Sequence, residues 1–104
     1  MQIQVNTDNH IQGRDTLVTR VQATIAGVLD RYSQQITRIE VHLSDENGRK
    51  GGPDDKRCLL EARVENRPPT AVTHQAPTVD EAVTGAADKM LAALDSALGK
   101  LRGY

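Results

Sequence analysis

Three histidines, one cysteine and an acid-rich loop are the residues of this chain that could do chemistry. His10, His42 and His74 fall in three separate segments. A metal needs ligands that converge, each imidazole oriented by a second hydrogen-bond partner, and no spacing here brings the three together. The loop "SDENGRKGGPDDKR" offers Asp45, Glu46, Asp54 and Asp55. Their spacing does not match an EF-hand loop, so an ordinary surface loop is expected and no metal. Cys58 sits in an apolar alternation beside Leu60, which predicts a buried thiol rather than a nucleophile. Ser33, Ser44 and Ser96 lack the G-x-S-x-G setting of a nucleophilic serine, and "GRKGG" lacks the spacing of a phosphate-binding loop. No enzyme, cofactor or small-molecule substrate is expected.

The bases are the other candidates. Arg38, Arg57 and Arg63, with His42, could form a patch on an open sheet face. Glu40, Glu61 and Glu65 are interleaved with them, so cross-strand ion pairing is the competing reading. In the loop, Arg49, Lys50, Lys56 and Arg57 could reach an RNA backbone. The chain has two Tyr and neither Phe nor Trp, which argues against reading single strands by stacking bases on a sheet. Recognition of a structured RNA through its backbone and shape does not need those rings.

Composition sets the frame for these side chains. With 104 residues, 38% hydrophobic and 26% charged, the chain suffices for one soluble domain, residues 1–104. The core must be filled by Leu, Val, Ile and Ala, so stability is modest or a partner subunit helps. Net charge is −1, so binding of nucleic acid has to come from a local patch. A single cysteine excludes an internal disulfide and fits a reducing cytoplasm. "MQIQVNT" has no basic segment followed by an apolar run, so no signal peptide is expected, and no apolar stretch is long enough to span a membrane.

Periodicity then places the residues. "MQIQVNT" alternates, with Ile3 and Val5 on one side, as a short strand. "TLVTRVQATIAGVLDRY" carries Leu17, Val21, Ile25, Val28, Leu29 and Tyr32 as one helical stripe. Asp15 or Thr16 is placed to cap it, and Gly27 marks a close packing contact. "ITRIEVHLSDE" and "KRCLLEARVE" alternate again, with Ile39, Val41, Leu43, Cys58, Leu60, Ala62 and Val64 inward. "NRPP" makes a turn, and "TAVTHQA" is a weak fourth strand of edge type. The last segment, "TVDEAVTGAADKMLAALDSALGKLRGY", is a helix. Thr78 is its N-cap with Glu81 at capping-box spacing, Asp80 and Glu81 lie in the first turn, and Lys100 and Arg102 lie in the last. The order β-α-β-β-β-α, with one apolar face per strand, predicts an α+β domain: a four-stranded mixed sheet with two helices on one face. The first crossover is parallel and the later strands form an antiparallel meander.

That order, with a few short motifs, resembles the ribosome hibernation promoting factors, also called ribosome-associated inhibitors or sigma-54 modulation proteins, in their short form. The opening strand, Asn-containing loop and helix ending near a Tyr read here as "QVNTDNHIQGRDTLVTRVQATIAGVLDRY", and the second strand as "ITRIEVHLS". The family's last helix often reads A-I-D-x-x-x-D-K-L-x-x-Q-L; "AVTGAADKMLAAL" keeps Ala82, Val83, Asp88, Lys89, Met90 and Leu94. The resemblance covers nearly the whole chain. It implies a cytoplasmic protein that binds the small ribosomal subunit and its rRNA in the channel of mRNA and tRNA anticodon ends. Translation is then silenced in resting or stressed cells by steric occlusion, without catalysis. The rRNA-binding residues expected on that basis are Arg20, Arg31, Lys89, Lys100 and Arg102 on the helices, and Arg49 and Lys50 in the loop. The alternative is a protein-interaction module of the same fold that has lost rRNA binding, a homodimer or the partner of another protein, built on the small side chains Ala82, Ala86, Ala93 and Ala97.

Overall fold

The computed structural model describes residues 1–8, 14–45 and 56–99. Within them the chain forms β1 (Gln2–Thr7), α1 (Arg14–Val28), a one-turn 3-10 helix (Asp30–Tyr32), β2 (Ile36–Asp45), β3 (Lys56–Val64), β4 (Thr70–Ala76) and α2 (Val79–Leu98). The strands make one sheet in the order β1-β2-β3-β4. β1 runs parallel to β2, and β2, β3 and β4 are successively antiparallel. The expected mixed sheet and element order are therefore present.

Register follows from the alternation. Pairing Ile39 with Ala62 and Val41 with Leu60 puts the large apolar side chains of the two central strands, Leu59 excepted, on one face. Slipping by one residue would turn that whole set outward. The inward residues share a single core with Leu17, Val21, Ile25, Leu29 and Tyr32 of the first helical segment and with Val83, Met90 and Leu94 of α2. Both helices lie on that one face. They run parallel to each other: Arg20 reaches the start of α2 at Asp80, and Arg31 reaches its later half at Asp95.

The helix ends are partly as the sequence implies. Thr78 is extended (φ −125°) and its hydroxyl accepts from the Glu81 amide at 3.1 Å, which satisfies one of the first-turn donors. The start of α1 is earlier than expected. It begins at Arg14, so Asp15 and Thr16 lie inside the first turn and neither is the cap. There Asp15 still favours the positive end of the helix dipole. Lys100 and Arg102 fall outside the described residues, as do His10, Glu46, Asp54 and Asp55.

Two packing expectations need correction. A Cβ added to Gly27 would meet nothing within 4 Å, so this glycine marks no close contact. The close approach is at Gly85, where the His74 ring of β4 occupies the space a side chain would fill. Likewise Ala82 and Ala86 are fully buried, and Ala97 packs on the same core. Ala82 and Ala86 let α2 lie close on the sheet and are not exposed to a partner, whereas Ala97 is half-buried. Ala93 is half-buried.

Both sheet edges are met by a helix side chain. Gln22 Nε2 donates to the Ile3 carbonyl of β1 at 3.1 Å, and Lys89 Nζ donates to the Thr73 carbonyl of β4 at 2.8 Å. Each occupies a backbone acceptor that an edge strand would otherwise offer to another chain.

Candidate nucleic-acid interface

Of the seven bases expected to meet rRNA, the described residues include Arg20, Arg31 and Lys89. Arg49, Lys50, Lys100 and Arg102 lie outside them. The three described bases are not gathered into one patch. Arg20 Nε is 2.8 Å from Asp80 Oδ1, and Arg31 Nη1 is 2.9 Å from Asp95 Oδ1. At 1.5 Å rise per residue those two sites are about 20 Å apart along α2. Lys89 points to the other side of α2, onto β4. The described helix surface also carries Asp15, Asp30, Glu81 and Asp88, all exposed, so acids outnumber bases there. Arg20 and Arg31 are half exposed in their ion pairs. Such pairs contribute about 0–1 kcal/mol each, and a phosphate could replace either carboxylate at little cost.

Asp95 does more than hold Arg31. The buried Tyr32 donates its hydroxyl proton to the same Oδ1. This ties the turn after α1 to the second half of α2. The Tyr32 hydroxyl, and then the Arg31 guanidinium, hold the Asp95 carboxyl below the usual carboxylate range. The bond to Asp95, and then burial, push the Tyr32 phenol up. The signs give opposite pH limits. Stability from Asp95 is present above the ordinary carboxylate value and is lost as pH falls through its lowered one. Stability from Tyr32 is present below the ordinary phenol value and is lost as pH rises through its raised one. Melting temperatures of the wild type and Asp95→Asn should therefore differ most near neutrality and converge below about pH 4 and above about pH 10. A difference that stays constant across that range would dissociate Asp95 from both groups.

The open face of the sheet departs from the cross-strand pairing that interleaved charges suggest. The register that buries Ile39 and Val41 sets Arg38 opposite Arg63 and Glu40 opposite Glu61, like against like. The ion pairs run along each strand instead, Arg38 to Glu40 at 3.4 Å and Arg63 to Glu61 at 3.8 Å. Arg38 also donates to Gln4 of β1. Arg57 lies opposite Ser44, and His42 opposite Leu59. This pattern depends on pairing between distant segments, so the sequence shows the charges but not which ones face each other.

The hollows of the described surface carry no catalytic set. One of about 430 Å³, at the end of the sheet, is lined by Gln35, Glu65, Asn66, Arg67 and Leu98 among others and has no nucleophile or histidine. Cys58 is fully buried and its thiol is pushed up to about 12 by desolvation, so little thiolate forms near neutral pH. Among the described residues no three of His, Cys, Asp and Glu are grouped to hold a metal ion, and no helix is long and apolar enough to cross a membrane.

The fold is shared with proteins of known structure. The N-terminal domain of Thermus thermophilus Protein Y superposes with a TM-score of 0.73 at 17% identity, over 92% of this chain and 98% of that one. A ribosomal subunit interface protein from Coxiella burnetii gives 0.70 at 12% identity, over 93% and 97%. No curated protein matches the sequence. At such identities the two structures establish a shared fold. The family is established by the sequence itself: residues 3–102 match the model of the sigma 54 modulation protein / S30EA ribosomal protein family, and the chain belongs to that family.

Proposed function

We propose that this protein binds the small ribosomal subunit in the cytoplasm and silences translation in resting or stressed cells by occupying the channel of mRNA and tRNA. The observation that carries this reading is the family match across residues 3–102. A fold shared with a ribosomal subunit interface protein supports it. Binding rests on bases against rRNA phosphates, and no bond is made or broken. Arg20 and Arg31 take part by exchanging Asp80 and Asp95 for phosphate, while Arg49, Lys50, Lys100 and Arg102 supply charge beyond the described residues. Lys89 contributes only if it leaves the Thr73 carbonyl.

The rival is an interaction module of the same fold without rRNA affinity. It is favoured by the acid partners that already hold Arg20 and Arg31. Gradient sedimentation of a lysate from resting cells separates the two. The protein should travel with small subunits or whole ribosomes at low salt and be released as salt rises, because each neutralised phosphate releases counterions. Lys100→Glu with Arg102→Glu should weaken association roughly tenfold and lower the salt slope by about one for each phosphate that is no longer neutralised. Protein that stays at the top of the gradient at low salt would end the ribosome reading.

A further inference from the structure

The open sheet face sets like charge opposite like charge across its central strands, in a pattern that is complementary between two copies. On the central strands, Arg38 and Arg63 form one row and Glu40 and Glu61 the next. Directly opposed side chains have Cβ atoms about 5 Å apart, where like charges destabilise the pairing. Each arginine already meets the glutamate two residues along its own strand, at 3.4 and 3.8 Å, in surface ion pairs of the kind that contribute only about 0–1 kcal/mol each. The arginine side chains remain 39% and 57% exposed. Across the strands the quartet is flanked by uncharged residues, and Glu65 lies beyond Arg63 at the end of β3. Gln2 and Gln4 lie beside Arg38 and Glu40 on β1, and Ala71 lies beside Glu61 on β4.

We propose that this face docks a second copy of the chain, sheet against sheet, about a two-fold axis. The axis lies in the plane between the sheets, runs across the strands, and passes between the arginine and glutamate rows. Successive outward residues on a strand are about 7 Å apart, so this rotation carries each row onto the other. Arg38 then faces Glu40 of the partner subunit, and Arg63 faces the partner's Glu61, giving four intermolecular pairs from two residue types. Gln2 meets the partner's Gln4 in the same operation. The contact is isologous, as a closed dimer requires. A nucleic-acid occupant fits less well, because a phosphate on the arginine row would sit about 7 Å from two carboxylates. The helices face away from this surface, so the dimer and the ribosome reading stand or fall separately.

Sedimentation velocity tests the proposal. The wild type should shift toward dimer with rising concentration at low ionic strength, and back toward monomer at high salt, where the Debye length falls to about 3 Å at 1 M. Arg38→Glu with Arg63→Glu, and Glu40→Arg with Glu61→Arg, make quartets of one sign. Each variant alone should be monomeric, and an equimolar mixture of the two should dimerise again. Far-UV circular dichroism checks that both are folded. If either reversal fails to fold, the milder pairs Arg38→Gln with Arg63→Gln and Glu40→Gln with Glu61→Gln should each weaken dimerisation by about tenfold. A wild type that is monomeric at every concentration at low salt would overturn the proposal. So would a dimer indifferent to these substitutions, or folded reversed variants that fail to associate when mixed. Monomeric wild type whose RNA affinity is lost in Arg38→Glu with Arg63→Glu would assign the arginines to phosphate and overturn it as well.

Discussion

Leu60→Ala is expected to destabilise the protein by about 2–5 kcal/mol. Leu60 is fully buried on β3, between Val41 of β2 and Val72 of β4. Truncation removes its transfer free energy and leaves a cavity that the backbone of a central strand cannot close. The loss is severe because little can move in to fill the gap: the chain contains no Phe and no Trp, and the buried Tyr32 ring is tied to Asp95. Domains of this size have total stabilities of roughly 5–15 kcal/mol, so the variant should lose a large fraction of its stability. Leu59→Ala is the control. Leu59 precedes Leu60 on the same strand but points to the open face and is only half-buried, so its truncation should cost less than about 1 kcal/mol. Urea titration checks both: the midpoint should fall steeply for Leu60→Ala and little for Leu59→Ala, with unchanged slope. The reverse ranking would mean that β3 presents its other face to the helices.

That contrast shows why so much of the fold was legible in the sequence. Period-two alternation in "ITRIEVHLS" and "KRCLLEARV" fixes the inward residues without knowledge of the partner strand, and the stripe from Leu17 to Tyr32 does the same for α1, although α1 ends at Val28 and a 3-10 turn carries the last of it. Thr78 could be named as a cap because the signal is local. What failed was long-range. Arg38 and Glu61 are interleaved in sequence, but only the pairing register decides that Arg38 meets Arg63. Arg20 and Arg31 looked like bases facing outward from a helix. Their partners Asp80 and Asp95 lie more than half a chain away and come close only because the two helices run parallel on one face. Lys89 lies on α2 as expected, yet its ammonium is turned to a sheet edge. A candidate binding surface is a property of such non-local neighbours, so it was the least legible part of the molecule.

The two glycines inside helices make the same distinction measurable, because alanine should act with opposite sign at each. In a helix interior, Gly→Ala ordinarily stabilises by up to about 1 kcal/mol, since alanine loses less backbone entropy on folding. Gly27→Ala should deliver most of that gain, because the added methyl meets nothing within 4 Å. At Gly85 the same methyl would lie 2.1 Å from His74 Cδ2, 2.3 Å from Nε2 and 2.6 Å from Cγ. Real contacts do not tolerate those separations, so the imidazole must leave its place between β4 and α2 or the helix must lift from the sheet. Overpacking of this kind costs about 1–3 kcal/mol, which outweighs the propensity gain and makes Gly85→Ala destabilising. His74→Ala opens the space that the methyl needs. In the double variant the clash is gone and the helix gain remains, so a double-mutant cycle should return a favourable coupling of about 1–3 kcal/mol. Thermal melts of Gly27→Ala, Gly85→Ala, His74→Ala and the His74→Ala/Gly85→Ala pair test this. Equal stabilisation at both glycines would show that the ring can swing aside freely. Its place over Gly85 would then be a rotamer choice, and the close approach of α2 to β4 would have to be held by Ala82, Ala86 and Met90 alone.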